Sequence, residues 1–316
     1  MKYVFPIVGV AMLALLMGGC GGGDTGDGSE TVEDAGELVD DGSRLLVTRL
    51  TPAGDFDIYL TNLTGSVRQQ LTTGPKFDGA PRWSPDGTRI AFIRNEKSAI
   101  SYRLYIMNAD GSSERNLMPD VVEAVDIPQE PDWLDNDTLV YHRGTGVPAG
   151  LAKRSITTGE VTVLTTPGPG TLDEQPSVSP DGSKLAFLRS KGFNKDLYIA
   201  NADGTNAHPI VTSVAGYTPT WSPDGTKIAF GRKSPKQKSE IYVANADGSN
   251  PVQLTSKGLA NITPVWSPDG SKIIFVSHVK LGDKRYRHEL HRINADGTGQ
   301  QRLSGNEQTD SPSDWR

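Results

Sequence analysis

Cysteine is almost absent from this sequence, and other scarcities narrow the possible classes of protein further. Cys20 is the only cysteine among 316 residues, so no disulfide can form within the chain. The Gly-x-Ser-x-Gly motif of a nucleophile elbow does not occur, which argues against an α/β-hydrolase site. No long stretch repeats its apolar residues with the period of an amphipathic helix. The chain is therefore not predicted to be helical.

The N-terminal segment has the layout of a secretory signal. Lys2 precedes an apolar stretch from Val4 to Met17, and the small residues Gly18 and Gly19 then lead to Cys20. This order resembles a bacterial lipoprotein signal, in which the cysteine is acylated and becomes the new N-terminus.

A transmembrane anchor is the alternative interpretation, but the apolar run is shorter than the roughly 20 residues that span a bilayer, and Pro6 interrupts it. We predict that residues 1–19 are a signal peptide and that Cys20 is lipidated. The protein is then exported to a bacterial cell envelope. Gly21 beside the cysteine resembles an outer-membrane address, so the protein would face the periplasm if the source has two membranes.

The next residues are predicted to form a disordered, lipidated tether. Residues 20–42 contain eight acidic side chains, no basic one and almost no large apolar one. Without Lys2 and these eight acids, residues 43–316 carry 31 basic and 30 acidic side chains. This balance gives no indication of nucleic-acid binding.

Residues 43–316 repeat one pattern, in which tryptophan is followed by Ser-Pro-Asp-Gly and an apolar strand, as in RWSPDGTRIAF at 82–92. Proline fixes φ, aspartate accepts a local hydrogen bond and glycine tolerates positive φ, so Ser-Pro-Asp-Gly predicts a tight turn. The tryptophan position of the repeat is occupied by Trp83, Trp133, Val178, Trp221, Trp266 and Trp315.

Each repeat contains signals for four strands. The second strand follows the turn, the third ends in an Asn-Ala-Asp-Gly hairpin turn, and a short fourth strand closes the unit. Four antiparallel strands per repeat are typical of a propeller blade. At the chain ends, residues 41–50 and 58–65 match the second and third strands, whereas 310–316 match a first strand. We therefore predict an all-β, six-bladed β-propeller whose ring is closed by the C-terminal strand.

The Trp-Ser-Pro-Asp-Gly, Ile-Ala-Phe and Ile-Tyr-Val-x-Asn-Ala-Asp-Gly pieces resemble the WD40-like repeat of the TolB propeller family. The resemblance covers residues 43–316, and several copies are nearly verbatim. It implies the propeller fold and a periplasmic protein that engages other envelope proteins. TolB also has an N-terminal α/β domain. Because the predicted tether is short and disordered in composition, we expect a TolB-type propeller on a lipid anchor without that domain.

The recurring tryptophans predict packing between blades, because large aromatic rings bury much apolar surface at one repeated position. Trp83, Trp221, Trp266 and Trp315 are the residues assigned to this role.

Aspartate and arginine recur at two further positions, five residues before the tryptophan and two residues past the second-strand aromatic. A turn that pairs Ser84 with Thr88 would set these two positions opposite each other. The predicted pairs are Asp78–Arg94, Asp173–Arg189 and, across the ring closure, Asp310–Arg49. Two interpretations stay open: structural ion pairs that hold the first strands, or a charged channel mouth that binds a ligand.

No residue pattern predicts a catalytic, metal or cofactor site. His288 and His291 form an HxxH, but positions three apart on a strand face opposite sides, which favours packed histidines over metal ligands. The Asn-Ala-Asp-Gly turns lack the alternating ligands and the distal glutamate of a calcium loop, so turn formation explains them.

The sequence favours a non-catalytic envelope lipoprotein, a monomer that binds an envelope protein or a small ligand at a propeller face. The alternative is a carbohydrate-active enzyme, lyase-like, with its site at the mouth of the central channel. Such an enzyme needs a base or a metal cluster there, and no histidine cluster is evident in the sequence.

Overall fold

The computed structural model describes residues 42–63, 67–95, 102–119, 129–144, 149–233, 238–256, 260–280, 286–303 and 310–316. Every regular element in these ranges is a β-strand. A long apolar helix of the kind that spans a bilayer is not found in this part of the chain. The predicted signal peptide, Cys20 and nearly all of the predicted tether lie outside the described residues.

The described residues form twenty-four strands. The first twelve are β1 (Leu45–Leu50), β2 (Phe56–Thr61), β3 (Val67–Gln70), β4 (Phe77–Trp83), β5 (Arg89–Asn95), β6 (Tyr102–Asn108), β7 (Arg115–Asn116), β8 (Gln129–Trp133), β9 (Thr138–Arg143), β10 (Gly150–Ser155), β11 (Val161–Val163) and β12 (Thr171–Val178). The others are β13 (Lys184–Lys191), β14 (Asn194–Asn201), β15 (His208–Val211), β16 (Thr220–Trp221), β17 (Lys227–Lys233), β18 (Ser239–Asn245), β19 (Val252–Gln253), β20 (Ala260–Trp266), β21 (Lys272–Lys280), β22 (Tyr286–Asn294), β23 (Gln301–Arg302) and β24 (Asp310–Trp315).

The strands associate in antiparallel groups of four. Strands β8–β11, β12–β15, β16–β19 and β20–β23 form four separate sheets. The other eight strands form one sheet, in which β24-β1-β2-β3 is joined to β4–β7 by a single parallel bridge between Phe56 and Phe77. We call each group of four a unit and name it after its first strand, which carries the tryptophan position: the β4, β8, β12, β16, β20 and β24 units.

The Ser-Pro-Asp-Gly turn is one residue longer than the sequence reasoning assumed. The Ser84 amide donates to the Arg89 carbonyl (2.9 Å) and the Gly87 amide to the Ser84 carbonyl (2.8 Å). Ser84 therefore faces Arg89, and the predicted pairing with Thr88 is wrong. Asp86 explains the added residue, because its Oδ1 accepts bonds from the Ser84 hydroxyl (2.6 Å) and the Thr88 amide (2.9 Å) inside the loop.

A β-bulge in the first strand then restores the predicted register. In β4 the register shifts between Gly79 and Arg82, where Ala80 has a φ of +50°. Bulges recur in β8, β12 and β20 around Glu130, Gln175 and Thr263, whose φ values are +51°, +57° and +52°. Each of these four residues precedes a proline, which a strand tolerates at its edge or at a bulge, where its missing amide is not needed.

The core lies between neighbouring units. Trp221 packs against Ala186, Leu188 and Leu197 of the preceding β12 unit, and Trp83, Trp133, Trp266 and Trp315 lie in equivalent clusters. All five tryptophans are 4–8% exposed. Three indole nitrogens also donate to a carbonyl of the preceding unit: Trp133 to Arg82 (3.0 Å), Trp221 to Ser177 (3.1 Å) and Trp266 to Thr220 (3.1 Å). The tryptophans therefore connect one unit to the next.

Candidate functional site at the start of the first strands

Arginine and aspartate meet near the start of three first strands, at the end opposite the Ser-Pro-Asp-Gly turns. The paired residues are Asp78 and Arg94, Asp173 and Arg189, and Asp310 and Arg49, each directly opposite its partner. Each arginine donates from Nε and Nη2 to the two carboxylate oxygens over 2.6–2.8 Å. The three aspartate side chains are at most 2% exposed.

The third strand holds each of these guanidinium groups from one side. Arg49, Arg94 and Arg189 lie 4.9, 4.8 and 4.5 Å from the ring centres of Tyr59, Tyr105 and Tyr198. A tyrosine face favours a cation above it, so the ring and the carboxylate together fix the orientation of the guanidinium. This end of the first strands, defined by Asp78, Asp173 and Asp310, is called the mouth below.

Two units depart from the pattern. In the β20 unit, Asn261 faces Ser277, and the Asn261 amide donates to Glu240 of the preceding unit (2.7 Å). In the β16 unit, Arg232 faces Val214, although the residue five positions before Trp221 is Gly216. The difference arises because β16 contains only two residues and the chain before it leaves the ladder. In the β8 unit, the corresponding Pro128 lies outside the described residues.

A cavity of about 100 Å³ lies between the first strands. Its wall includes Thr48, Arg82, Glu130 and Thr263, which come from four different units. The hydroxyl oxygens of Thr48 and Thr263 are buried without a hydrogen-bond partner among the described residues. The wall also contains apolar residues such as Phe56, Phe77 and Val265, and the buried hydroxyls could bind water or a small polar group there.

Glu130 is an acid in the wall of this cavity with a strongly raised pKa, and it was not predicted from the sequence. Burial, and then the nearby Glu174 carboxylate, raise the pKa of Glu130 to about 8. Gln175 donates through Nε2 to Glu130 Oε1 (3.1 Å) and to the Gly216 carbonyl (3.1 Å), which connects three first-strand segments. Glu174 itself accepts bonds from Ser190 and Lys195. Polar residues directly before Pro131 and Pro176 could have indicated this group in the sequence. The direction of their side chains, however, depends on the β-bulge.

A second group that the sequence analysis missed is a pair of stacked histidines. His278 and His288 face each other on β21 and β22, with ring centres 4.2 Å apart and planes 4° from parallel. His291 lies elsewhere, stacked on Phe275. The pair could have been found from the sequence, because Phe275 and His291 occupy the positions of the facing residues Phe92 and Tyr105. His278 lies three residues after Phe275 and His288 three residues before His291, so the two histidines must also face each other.

Acid should destabilise the protein through this pair. Burial, and then His288, lower the pKa of His278 from 6.5 to about 4. Between these two values the unfolded chain binds more protons than the folded chain, so the free energy of unfolding falls as the pH falls. His278→Phe keeps a stacked ring without a titrating group. Its melting temperature should fall less than that of the wild type between pH 6.5 and pH 4. The exposed-site variant His208→Phe should keep the wild-type pH dependence, and equal pH dependence in all three proteins would contradict this account.

The remaining acidic side chains of the described residues do not form a metal site, and those of the hairpin turns stabilise the turns. Within the described ranges, three or more His, Cys, Asp or Glu side chains do not converge as a metal site would require. In the Asn-Ala-Asp-Gly turns the carboxylate serves the turn itself, as Asp110 Oδ1 accepts bonds from the Ser112 amide (2.9 Å) and hydroxyl (2.6 Å).

Comparison with known proteins assigns the fold. The profile of the TolB beta propeller domain (PD40) matches residues 30–217 and 211–316. A TolB homologue from Chlorobium luteolum is 30% identical over 155 residues, which span 46% of this chain and 32% of that protein. This chain thus covers about a third of that curated relative.

Solved structures agree on a β-propeller, as predicted. TolB from Acinetobacter baumannii superposes with a TM-score of 0.67 and 17% identity over 88% of this chain and 67% of its own. Oligogalacturonate lyase from Vibrio parahaemolyticus gives a TM-score of 0.54 and 19% identity over 84% and 83% of the two chains. At these identities the likeness concerns the fold alone.

Proposed function

Because the chain belongs to the TolB beta propeller domain family, we propose that residues 43–316 form a six-bladed ring closed by the C-terminal strand. In support, β24 pairs with β1, and Arg44 and Arg316 exchange backbone hydrogen bonds of 2.7 and 2.9 Å. The first strands also contact one another in a cycle: β4 with β8, β8 with β12, β12 with β16, β16 with β20, β20 with β24, and β24 with β4.

The proposed function is a lipid-anchored, monomeric envelope scaffold that binds a protein partner at the mouth. The chain enters the ring at Gly42, close to Arg316, whose guanidinium donates to the Ser84 and Pro85 carbonyls (2.9 and 2.8 Å). This is the face of the Ser-Pro-Asp-Gly turns, opposite the mouth. An anchor at Cys20 would therefore present the mouth away from the membrane, on a tether that reaches about 70 Å at about 3.3 Å per residue.

The ion pairing of the aspartates at the mouth is the observation that favours a binding role over a catalytic role. Asp78, Asp173 and Asp310 are each buried and held by both arms of an arginine fork. Carboxylates engaged in this way support the first strands and are poorly suited to accept a substrate proton. The mouth thus becomes a rigid frame on which a partner can dock.

Site-specific photocross-linking tests this role in native envelopes. A cross-linker at Lys191, which is exposed at the mouth side, should capture a discrete protein partner. The same group at Asp247, exposed on the turn face, is the matched control and should not capture that partner. Equal capture at both positions, or none at Lys191, would contradict binding at the mouth.

A carbohydrate lyase with its site in the channel is the second candidate, and Glu130 favours it. A carboxyl group with a pKa near 8 is close to the range of a general acid or base at neutral pH. Formation of unsaturated products from oligogalacturonate, lost in Glu130→Gln, would support this function, whereas the scaffold predicts no turnover by either protein.

Lipidation is tested separately. Cys20→Ser should remove the acylated residue and release the protein from the membrane fraction into the soluble fraction, because the thiol is the site of acylation. Immunoblots of fractionated cells measure the outcome, with the wild type as the reference. Unchanged membrane association of Cys20→Ser would exclude a lipid anchor at this residue.

A further inference from the structure

Arg232 repeats the position of the three paired arginines but lacks their aspartate. Like Arg49, Arg94 and Arg189, it lies two residues past a buried second-strand position and beside a third-strand tyrosine, with Tyr242 at 5.9 Å. The residue opposite Arg232 is Val214, which has no side-chain acceptor. Arg232 is partly exposed, and its guanidinium has neither a hydrogen bond nor an ion pair with any described residue.

The acid opposite Arg232 on the third strand is already engaged. Glu240 lies directly across the β17–β18 ladder from Arg232, but its Oε2 accepts bonds from the Thr255 hydroxyl and the Asn261 amide, both at 2.7 Å. These bonds occupy the Glu240 carboxylate, and an ion pair between Arg232 and an acid is not found among the described residues.

We propose that Arg232 binds an aspartate or glutamate side chain of the partner polypeptide. That carboxylate would complete at the β16 unit the pair that the protein itself supplies to Arg49, Arg94 and Arg189. The inference rests on the proposed scaffold function and names the chemistry by which the mouth recognises its partner.

The internal pairs explain why an acidic group is the ligand. A guanidinium presents two parallel N–H groups that match the two oxygens of a carboxylate, and the three existing pairs use this geometry at 2.6–2.8 Å. An uncharged amide offers a single oxygen and no charge. Two exposed lysines on the same side of the molecule, Lys191 and Lys233, add positive charge that attracts an acidic segment.

The aspartate position of the repeat is also displaced from Arg232 in this unit. Five residues before Trp221 the chain has Gly216, whereas the β4, β12 and β24 units have aspartate at this position. Gly216 lies beside the Lys195 side chain, where a Cβ would come within 3.0 Å of Lys195 Cε, and Val214 faces Arg232 instead. The β16 unit therefore has no internal carboxylate at this position.

Side-chain NMR of the arginine Nε–H groups tests the proposal directly. The probes are N-acetyl-aspartate N-methylamide and its asparagine counterpart, titrated into the full chain. The Arg232 signal is identified by its loss in Arg232→Gln. It should shift when the aspartyl probe is added, and the same shift should require at least a ten-fold higher concentration of the asparaginyl probe. Arg232→Lys keeps the charge but loses the fork and should bind the aspartyl probe several-fold more weakly. Lys233→Gln removes a neighbouring charge and should bind nearly as the wild type.

Each alternative has its own result. Equal shifts with both probes, or aspartyl binding that survives in Arg232→Gln, would overturn the assignment. If trigalacturonate binds more tightly than the aspartyl probe and this binding is lost in Arg232→Gln, the ligand is an acidic glycan. That result would overturn the proposal of a polypeptide ligand. If the aspartyl probe binds at Arg232 while cross-linking at Lys191 captures no protein, the scaffold function fails and the carboxylate site stands.

Discussion

Removal of residues 310–316 should abolish the cooperative folding of the protein or lower its melting temperature by more than about 10 °C. The truncation deletes β24, exposes the pairing edge of β1 and removes Trp315 from its cluster. It also leaves Arg49, now 5% exposed, without the carboxylate that neutralises it. Loss of one partner from a buried pair costs about 3–5 kcal/mol, a large part of the stability of a typical domain.

Point variants separate the ion pair from the strand. Asp310→Ala keeps β24 and should destabilise the fold by about 3 kcal/mol, measured by urea unfolding, because Arg49 loses both of its bonds. In a double-mutant cycle with Arg49→Ala, the second substitution should recover part of this loss, since no charge then remains buried and unpaired. Asp296→Ala, on an exposed turn, is the control and should have a much smaller effect. If the protein without residues 310–316 had the same melting temperature as the full chain, closure by this strand would be contradicted.

The strand order and the paired positions were predictable because they depend on repetition. One well-formed copy, RWSPDGTRIAF, fixes the turn, the second strand and the tryptophan, and the other copies inherit the assignment. The Asp78–Arg94 register was reached through two errors that cancel. The turn is one residue longer than assumed, and the bulge at Ala80 takes that residue back. Every copy of the repeat that contains both the longer turn and the bulge keeps the same register. The residues of the turn alone indicate the turn but not the bulge.

The candidate site was less predictable because it lies where the repeat fails. Glu130 and Gln175 occupy a position that is alanine in the β4 unit and threonine in the β16 and β20 units. Both have the positive φ of the bulge, and their side chains form a hydrogen bond with each other. Arg232 looked paired with a glycine position, whereas the chain before β16 leaves the ladder and places Val214 there. A register that depends on unpaired backbone cannot be counted from a neighbouring copy.

Replacement of Trp221 by alanine should destabilise the protein by about 3–5 kcal/mol, the usual cost of deleting a buried aromatic side chain. Trp221 is 8% exposed, packs against the β12 unit and donates through Nε1 to the Ser177 carbonyl at 3.1 Å. Trp221→Phe keeps most of the apolar contact and should cost about 1–2 kcal/mol, of which about 1 kcal/mol reflects the lost hydrogen bond.

Val178 provides the matched comparison, because it occupies the tryptophan position of the β12 unit and is only partly buried. Val178→Ala should cost about 1 kcal/mol, since few buried methyl groups are removed. Urea unfolding of the three variants orders them by the apolar contact that each junction between units loses. If Trp221→Ala were as stable as Val178→Ala, the tryptophans would not hold the units together. Their recurrence every 43–50 residues would then need an explanation other than packing.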